Sequence, residues 1–595
     1  MSDPRFAVGP LAELAPIAQL VGSTRIDGIP TIYAPRDGYV AAGILFRVGM
    51  VDEPLARSGI THLVEHLALF DHSNGDVHHN GETSDAFTHF YVAGTEAEVV
   101  AYLNRVCHSL RNLPLDRIET EKQILRTESS QKAGNAARAQ RVERFGATGF
   151  GTVGMVEPGL DAITADDVLE WSRTRFTRHN AIVWMTAPQP LAGLDLTLPD
   201  GSWIPLPPPR EIIDIKPAFF GGPGGGVMLD AVVPRSTAGT VFSLVASKAL
   251  YRSLRQQGGY SYTATCDYEP LDGQRARIAL YADALPNQQA AVVGGMIDVL
   301  ASLRAGAIDP ADLTYAKGTF GHMSDVPFLG STLLLSTAQR LLLGAPINHP
   351  ASIVAEAEAV TAADIAGIAD LVWRDAVAQI PEGNLTWAGF TLAPRSSANV
   401  VTGDRFPYIQ YPDSAVVIGK DGVSFVGPDN SSTVYFADCA AVLAAPDGGR
   451  AYIGTDAFRV LIEPTLLDGI TPDILRWLDS RVPPEVVVPQ RARLAADIPQ
   501  PGPPVIQPPQ VRVKKGLGAW AWLALLPTMV ASFLLLMLAS GEMRSVGVAD
   551  ASGRVVGVPE MVITWVVTLA VTVFAFYLLV GLQRRRIWRR VHGSA

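Results

Sequence analysis

The chain has 595 residues, room for three or four domains of ordinary size. Its 48 Lys and Arg against 58 Asp and Glu leave a net charge of −10, which removes the basic footprint expected of a nucleic-acid-binding protein. Three cysteines, Cys107, Cys266 and Cys439, are odd in number and scattered, which argues against a disulfide framework and suits a reducing compartment.

The lead Met1-Ser2-Asp3-Pro4-Arg5 is polar and does not read as a signal peptide. The first element with visible chemistry is Thr61-His62-Leu63-Val64-Glu65-His66-Leu67-Ala68-Leu69-Phe70. On a helix, His62 and His66 are four residues apart and project from one face, where they can share a metal ion. Glu65 is then within reach of a water whose pKa that metal lowers, and it can take the proton. A plain surface helix does not account for the apolar residues crowded between these polar ones, and a buried polar triad needs partners. A metal site answers both points.

Downstream, His72, His78, His79 and His89 fall near Asp71, Ser73, Asn74, Gly75 and Asp76, a loop-like setting that favours surface histidines. The stretch Leu115–Glu128 reads as a helix with Ile118, Ile124 and Leu125 on an apolar side and Glu121 and Glu128 two turns apart. A solvated helix face is the plainer explanation of either glutamate. Gly154–Pro158 reads as a turn, Ile163–Val168 as a capped helix start, and Phe176–Trp184 as a closing strand. Prolines at 205–209 mark a linker.

His-x-x-Glu-His is the inverzincin order, and Gly59–Leu67 resembles the active-site helix of the pitrilysin/insulysin family, which includes the mitochondrial processing peptidase. The resemblance implies an α+β fold built of α/β half-units and a zinc ion held by His62, His66 and a glutamate on a later helix, whose position Glu128 matches. It implies Glu65 as general base and Glu121 as the acidic residue that supports the site. Asp85-Ala86-Phe87-Thr88 is similar to the family's Asn-Ala-x-Thr, so Asp85 and Phe87 fall where substrate is held. Asp85 replaces the Asn. Its charge favours basic peptides or marks a solvated loop. The interval from His62 to Glu128 is also shorter than is usual in the family.

The plan of residues 1–204 recurs degenerately over 211–395: a strand at 227–233, a helix at 241–254, an alternating run at 277–282 and helices near 288–304 and 310–322. This second half-unit has no His-x-x-Glu-His. Its Leu254-Arg255-Gln256-Gln257-Gly258-Gly259-Tyr260-Ser261-Tyr262 resembles the family's Leu-Arg-x-x-x-Gly-x-x-Tyr, which implies that Arg255 and Tyr262 stabilise the oxyanion. A simple helix-to-strand turn at Gly258-Gly259 is the alternative. In the short-chain, processing-peptidase-like branch this pair meets the zinc of another subunit, so the resemblance implies a homodimer with sites formed in trans; a hetero-partner is the alternative, though missing parts do not require one.

Residues 404–483 change to short alternating strands with turn signals at Asp421-Gly422 and Pro446-Asp447-Gly448-Gly449, then one amphipathic helix at 472–480. That order resembles a small pleckstrin-homology-like barrel. A Pro-rich linker, 484–511, reads as extended and semi-rigid. Residues 516–541 and 561–583 carry no charge and are long enough to cross a bilayer as helices. Arg512, Lys514 and Lys515 precede the first, and Arg584, Arg585, Arg586, Arg589 and Arg590 follow the second. The expectation is a two-span protein of the cell membrane with both termini and the peptidase in the cytoplasm. The function expected is a membrane-anchored zinc endopeptidase acting on peptides. The alternative is a catalytically silent peptidase-fold scaffold of a membrane complex.

Overall fold

The computed structural model describes residues 10–70, 78–131, 135–321, 325–503, 548–549 and 555–556. The chain divides into a unit Met1–Ile506 and a unit Gln507–Ala595. The second is described only by an antiparallel ladder between Val548–Ala549 and Val555–Val556. Both apolar stretches, 516–541 and 561–583, lie outside the described residues. Among the described residues no helix is long and apolar enough to cross a membrane.

The first sheet is built from β1 (Gly22–Ile26), β2 (Ile29–Tyr33), β3 (Val40–Phe46), β4 (His78–Thr83), β5 (Thr88–Gly94) and β6 (Ala181–Met185), in the order β1-β2-β6-β3-β5-β4. Asp27 and Gly28, both at positive φ, close the β1–β2 hairpin. Its helices are α1 (Ile60–Leu69), α2 (Glu96–Arg111), α3 (Ile118–Gln131), α4 (Ala136–Phe145) and α5 (Ala165–Arg175). Alternation along the strands sorts the two faces. Ala42, Ile44, Phe46 and Val183 meet α1 and α2 on one side, while Leu45 and Ile182 point to the other. Thr164 caps α5 in a reciprocal box with Asp167.

The second sheet repeats the plan with β7 (Ala218–Gly221), β8 (Gly226–Pro234), β9 (Ala264–Pro270), β10 (Arg275–Asp283), β11 (Val377–Ile380) and β12 (Thr391–Leu392). In its order, β12-β7-β11-β8-β10-β9, five strands repeat β2-β6-β3-β5-β4 of the first sheet. The outer strand β12 comes last in the half and runs parallel to β7, whereas β1 comes first and is antiparallel to β2. The accompanying helices are α6 (Thr237–Leu250), α7 (Gln289–Arg304), α8 (Pro310–Gly321), α9 (Leu329–Leu342), α10 (Pro350–Ala359) and α11 (Ala362–Asp375). The halves exchange one helix each. From α9, Leu334, Ala338 and Leu341 pack onto the first sheet beside Ile32, Leu45 and Ile182. From α4, Ala136 packs onto Met228 and Ala279 of the second.

Charge as well as apolar packing pins α4. Arg144 is fully buried, donating from Nε to Asp230 Oδ1 at 2.9 Å and from Nη1 to Asp375 at 2.8 Å and Glu211 at 2.6 Å. Asp230 also accepts from Gln140 at 2.7 Å and Arg277 at 2.6 Å. Burial alone would raise the Asp230 carboxyl, but Arg144 and Arg277 outweigh it and hold it below the usual range.

A third region packs against the first half-unit. Strands β13 (Gly403–Pro407), β14 (Ala415–Gly419), β15 (Gly422–Val426) and β16 (Ser431–Tyr435) form one antiparallel sheet. A second holds β17 (Cys439–Ala444), β18 (Arg450–Gly454), β19 (Arg459–Ile462) and β20 (Val487–Pro489), and α12 (Pro472–Asp479) packs Leu475 and Leu478 into the shared core. The segment read as a free linker from 484 differs from expectation. Its first part is β20, parallel to β17, and Arg493 beyond it is fixed by Asp447 and Glu463 at 2.6–2.8 Å. Extended proline-rich backbone suits a sheet edge as well as a spacer.

Of the histidines near the site, His89 departs from the surface reading. His78 and His79 open strand β4 rather than a loop, and His72 lies outside the described residues. His89 is half-buried in β5, where Trp184 Nε1 donates to its Nε2 at 3.0 Å. An imidazole that accepts there is neutral, and burial pushes its pKa down from 6.5 to about 4. Across that window the unfolded chain binds a proton that the folded chain does not, so stability falls as pH falls. Between pH 7 and pH 5 the wild type is expected to lose about 2 kcal/mol more than His89→Gln, measured by urea unfolding. Arg144→Ala, which strands Asp230, is expected to cost about 3–5 kcal/mol, read from the shift in denaturant midpoint.

Candidate metal centre

Helix α1 starts at Gly59, whose φ of 92° favours glycine and whose missing Cβ leaves room for Leu160. Glu53 caps this start: its two carboxylate oxygens accept from Gly59 N and Thr61 N, each at 2.8 Å. Burial raises Glu53 to about 7 against those hydrogen bonds. Trp171 Nε1 donates to Thr61 Oγ1 at 3.1 Å. With Leu63, Val64 and Leu67 in the core, the helix cannot rotate, and His62 and His66 are held on its open face.

Both imidazoles turn Nε2 to one carboxylate. His62 Nε2 is 3.7 Å from Glu128 Oε2, and His66 Nε2 is 3.8 Å from Glu128 Oε1. One donor atom from each of the three residues lies within 4.8 Å of the others. Tetrahedral zinc with donors at 2.0–2.2 Å places them about 3.4 Å apart, so a slight closure accommodates the ion. The remaining ring nitrogens are backed by acids: His66 Nδ1 by Glu121 Oε2 at 3.4 Å and His62 Nδ1 by Glu157 Oε1 at 3.1 Å. A carboxylate on Nδ1 leaves the Nε2 lone pair free for a metal. The donor set fits zinc.

Glu65 stands beside this cluster, its Oε2 4.0 Å from His62 Nε2 and accepting from Thr83 Oγ1 at 3.0 Å. Burial raises its carboxyl against the two imidazoles. For His62 burial acts in the lowering direction, but Glu157, Glu65 and Glu128 outweigh it and hold the imidazole above its ordinary value. Gly81 on β4 is a close approach: a Cβ there would lie 2.6 Å from Glu65 Oε1.

Of the other expected site residues, Glu121 backs His66, and Asp85, Phe87, Arg255 and Tyr262 have other partners. Glu121 also accepts from Arg117 at 3.1 Å. Asp85 pairs with Arg141 at 2.8 Å, and Arg141 in turn pairs with Glu269 of β9 at 2.7 Å. Burial raises the Asp85 carboxyl, opposed by Arg141. Asp85 is therefore neither a solvated loop residue nor a free charge beside the metal cluster. Phe87 packs into the apolar cluster on the face of the sheet away from α1, so its position is explained by packing. Arg255 donates to Tyr262 O at 3.1 Å and lies over the Tyr262 ring, 4.5 Å from its centroid. This pair sits where the helix continuing from α6 widens to a π-helical turn, Tyr251–Gln257, and Tyr262 is 74 % exposed. Neither residue has a hydrogen bond or ion pair with His62, Glu65, His66 or Glu128. Glu53, Thr83 and Glu157 were not indicated by the motif, because each comes from a turn or strand end without periodic spacing.

No protein-family model matches the chain, and no curated protein does. Solved structures do. A protease from Helicobacter pylori aligns with a TM-score of 0.52 at 17 % identity, over 61 % of this chain and 99 % of that one. A peptidase M16 inactive domain from Pseudomonas fluorescens also gives 0.52, at 12 % identity, over 61 % and 98 %. A chain of complex III2 from Candida albicans gives 0.50 at 14 % identity, over 60 % and 95 %. This is an M16-like peptidase fold. The relation is one of architecture. The His62, His66 and Glu128 cluster is this chain's own evidence for a metal. Elemental analysis after equilibrium dialysis is expected to find one zinc per wild-type chain and none in His62→Ala.

Proposed function

We propose that the chain is a zinc endopeptidase, tethered to a membrane and acting on peptides or unfolded segments. The observation that carries the reading is the pair of Nε2 atoms facing opposite oxygens of Glu128, with Glu65 alongside. His62, His66 and Glu128 would hold the zinc, with Glu121 supporting His66. When bound, the ion supplies Lewis acidity to a scissile carbonyl and to a water. Glu65 takes a proton from the attacking water and delivers it to the departing amine nitrogen. Thr83 keeps the Glu65 carboxylate aimed through its hydrogen bond. The end strand β4, which packs on α1, offers an edge on which an extended peptide can add as a further strand.

Arg255 and Tyr262 are proposed as oxyanion donors supplied in trans, which suits their exposed setting and their lack of contact with the metal cluster. A homodimer then contains two complete sites. We further propose that residues 516–541 and 561–583 span the cell membrane and that their basic flanks keep both termini and the peptidase on the cytoplasmic side. A scaffold without catalysis is the second reading, favoured by the likeness to an inactive domain and to a chain of complex III2.

Glu65→Gln is expected to keep its zinc and lose about 10²–10⁴-fold in cleavage of a quenched fluorescent peptide. Full cleavage by zinc-loaded Glu65→Gln would sink the mechanism; a wild type with neither metal nor turnover would leave the scaffold. Mixing Glu65→Gln chains with Arg255→Ala chains is expected to restore part of the activity.

A further inference from the structure

Glu157 has a role that neither the motif nor the catalytic scheme assigns. Its Oε1 is the partner of His62 Nδ1, and its Oε2 accepts from Ser129 Oγ at 2.7 Å. Ser129 is the neighbour of Glu128 on α3. One carboxylate therefore touches both metal-bearing helices, fixing the ring of one ligand and the helical turn of another. Glu121 backs His66 from α3 itself, whereas Glu157 arrives from a separate segment at a positive φ of 27°. Its position is set by whatever fixes that segment.

The β-rich region supplies much of that fixing. Met155, two residues before Glu157, is buried in a cluster with Leu55, Ala56, Ala441 of β17, Ile453 of β18 and Val488 of β20. Leu55 and Ala56 belong to the turn that leads into α1. On the far side of Glu157, Asp161 is held by Arg126 of α3 and by Arg491, 3.4 Å away, from the segment after β20. Gly159 N donates to Ser58 Oγ at 3.0 Å. Between them, the two flanks are tied to the turn before α1, to α3 and to the β-rich region.

We propose that Glu157 is a positioning residue for the metal centre, orienting His62 through Nδ1, and that the β-rich domain clamps the segment that carries it and so sets the metal affinity. The proposal rests on the zinc reading above. The measurement is the zinc dissociation constant of the full chain by competition with a chromophoric chelator. Glu157→Ala is expected to bind zinc about 10–100-fold more weakly. Glu157→Gln is expected to stay within about threefold of wild type, because its amide oxygen can accept from Nδ1–H while Ser129 turns to accept from the amide nitrogen. This rescue by the isostere separates orientation from mere space-filling. Ile453→Ala, at the clamp, is expected to weaken zinc binding, whereas Val434→Ala, in the β-rich region's own core, is expected to leave it unchanged at equal loss of thermal stability.

Wild-type affinity in a folded Glu157→Ala chain overturns the proposal while leaving the zinc site intact. Equal zinc affinities in Ile453→Ala and Val434→Ala overturn the clamp. Absence of zinc from the wild type overturns the underlying reading and this inference with it.

Discussion

The ion pair between Arg144 and Asp230 is the constraint on which the paired half-units depend. Both charges are wholly removed from water, and two such charges are tolerable only when every remaining donor and acceptor is engaged. The seam meets that demand with Glu211, Asp375, Gln140 and Arg277. Because Arg144 lies on a helix of one half and Asp230 on a strand of the other, satisfaction of the pair requires both halves in register. Arg277, Glu269 and Arg141 extend the network to Asp85, at the turn between β4 and β5. That turn follows Thr83, which holds Glu65. The seam between halves is therefore connected to the candidate base by charged contacts as far as Asp85, and from there by the turn and the Thr83 hydrogen bond.

What could be read from the sequence follows from distance along the chain. His62 and His66 share a helical face by period alone, and Glu65 is fixed by the same helix. Glu128 is 62 residues from His66 and was placed by family resemblance, since helical spacing says only that Glu121 and Glu128 share a side. Asp85 was misread because its partner Arg141 lies 56 residues on, and a lone acid in a turn looks solvated. His89 was misread for a related reason: polar residues preceding it suggested a loop, while Trp184, from the last strand of the sheet, encloses it. Glu157 carried no signal at all. A glutamate before Pro158 in a turn has no periodicity, and its partners sit on two other elements.

The repeat was legible because strand alternation and helix spacing recur in the same order in both halves, and the two sheets share the order of five of their six strands. The chain beyond the repeat was legible in composition but not in attachment. Short strands and a closing helix were visible, yet proline content concealed that β20 completes a sheet and that Arg491 and Arg493 are anchored. The added region consequently reads as part of the architecture around the candidate metal centre instead of a free spacer.

The reciprocal loan of α4 and α9 bears on movement. A half-unit deprived of its borrowed helix would leave one sheet face bare, so the two halves cannot part without each losing a layer of its own fold. The seam inside the chain is an interlock, and it offers no hinge. Under the proposed function, a peptide reaches His62 and Glu65 by a route other than this seam.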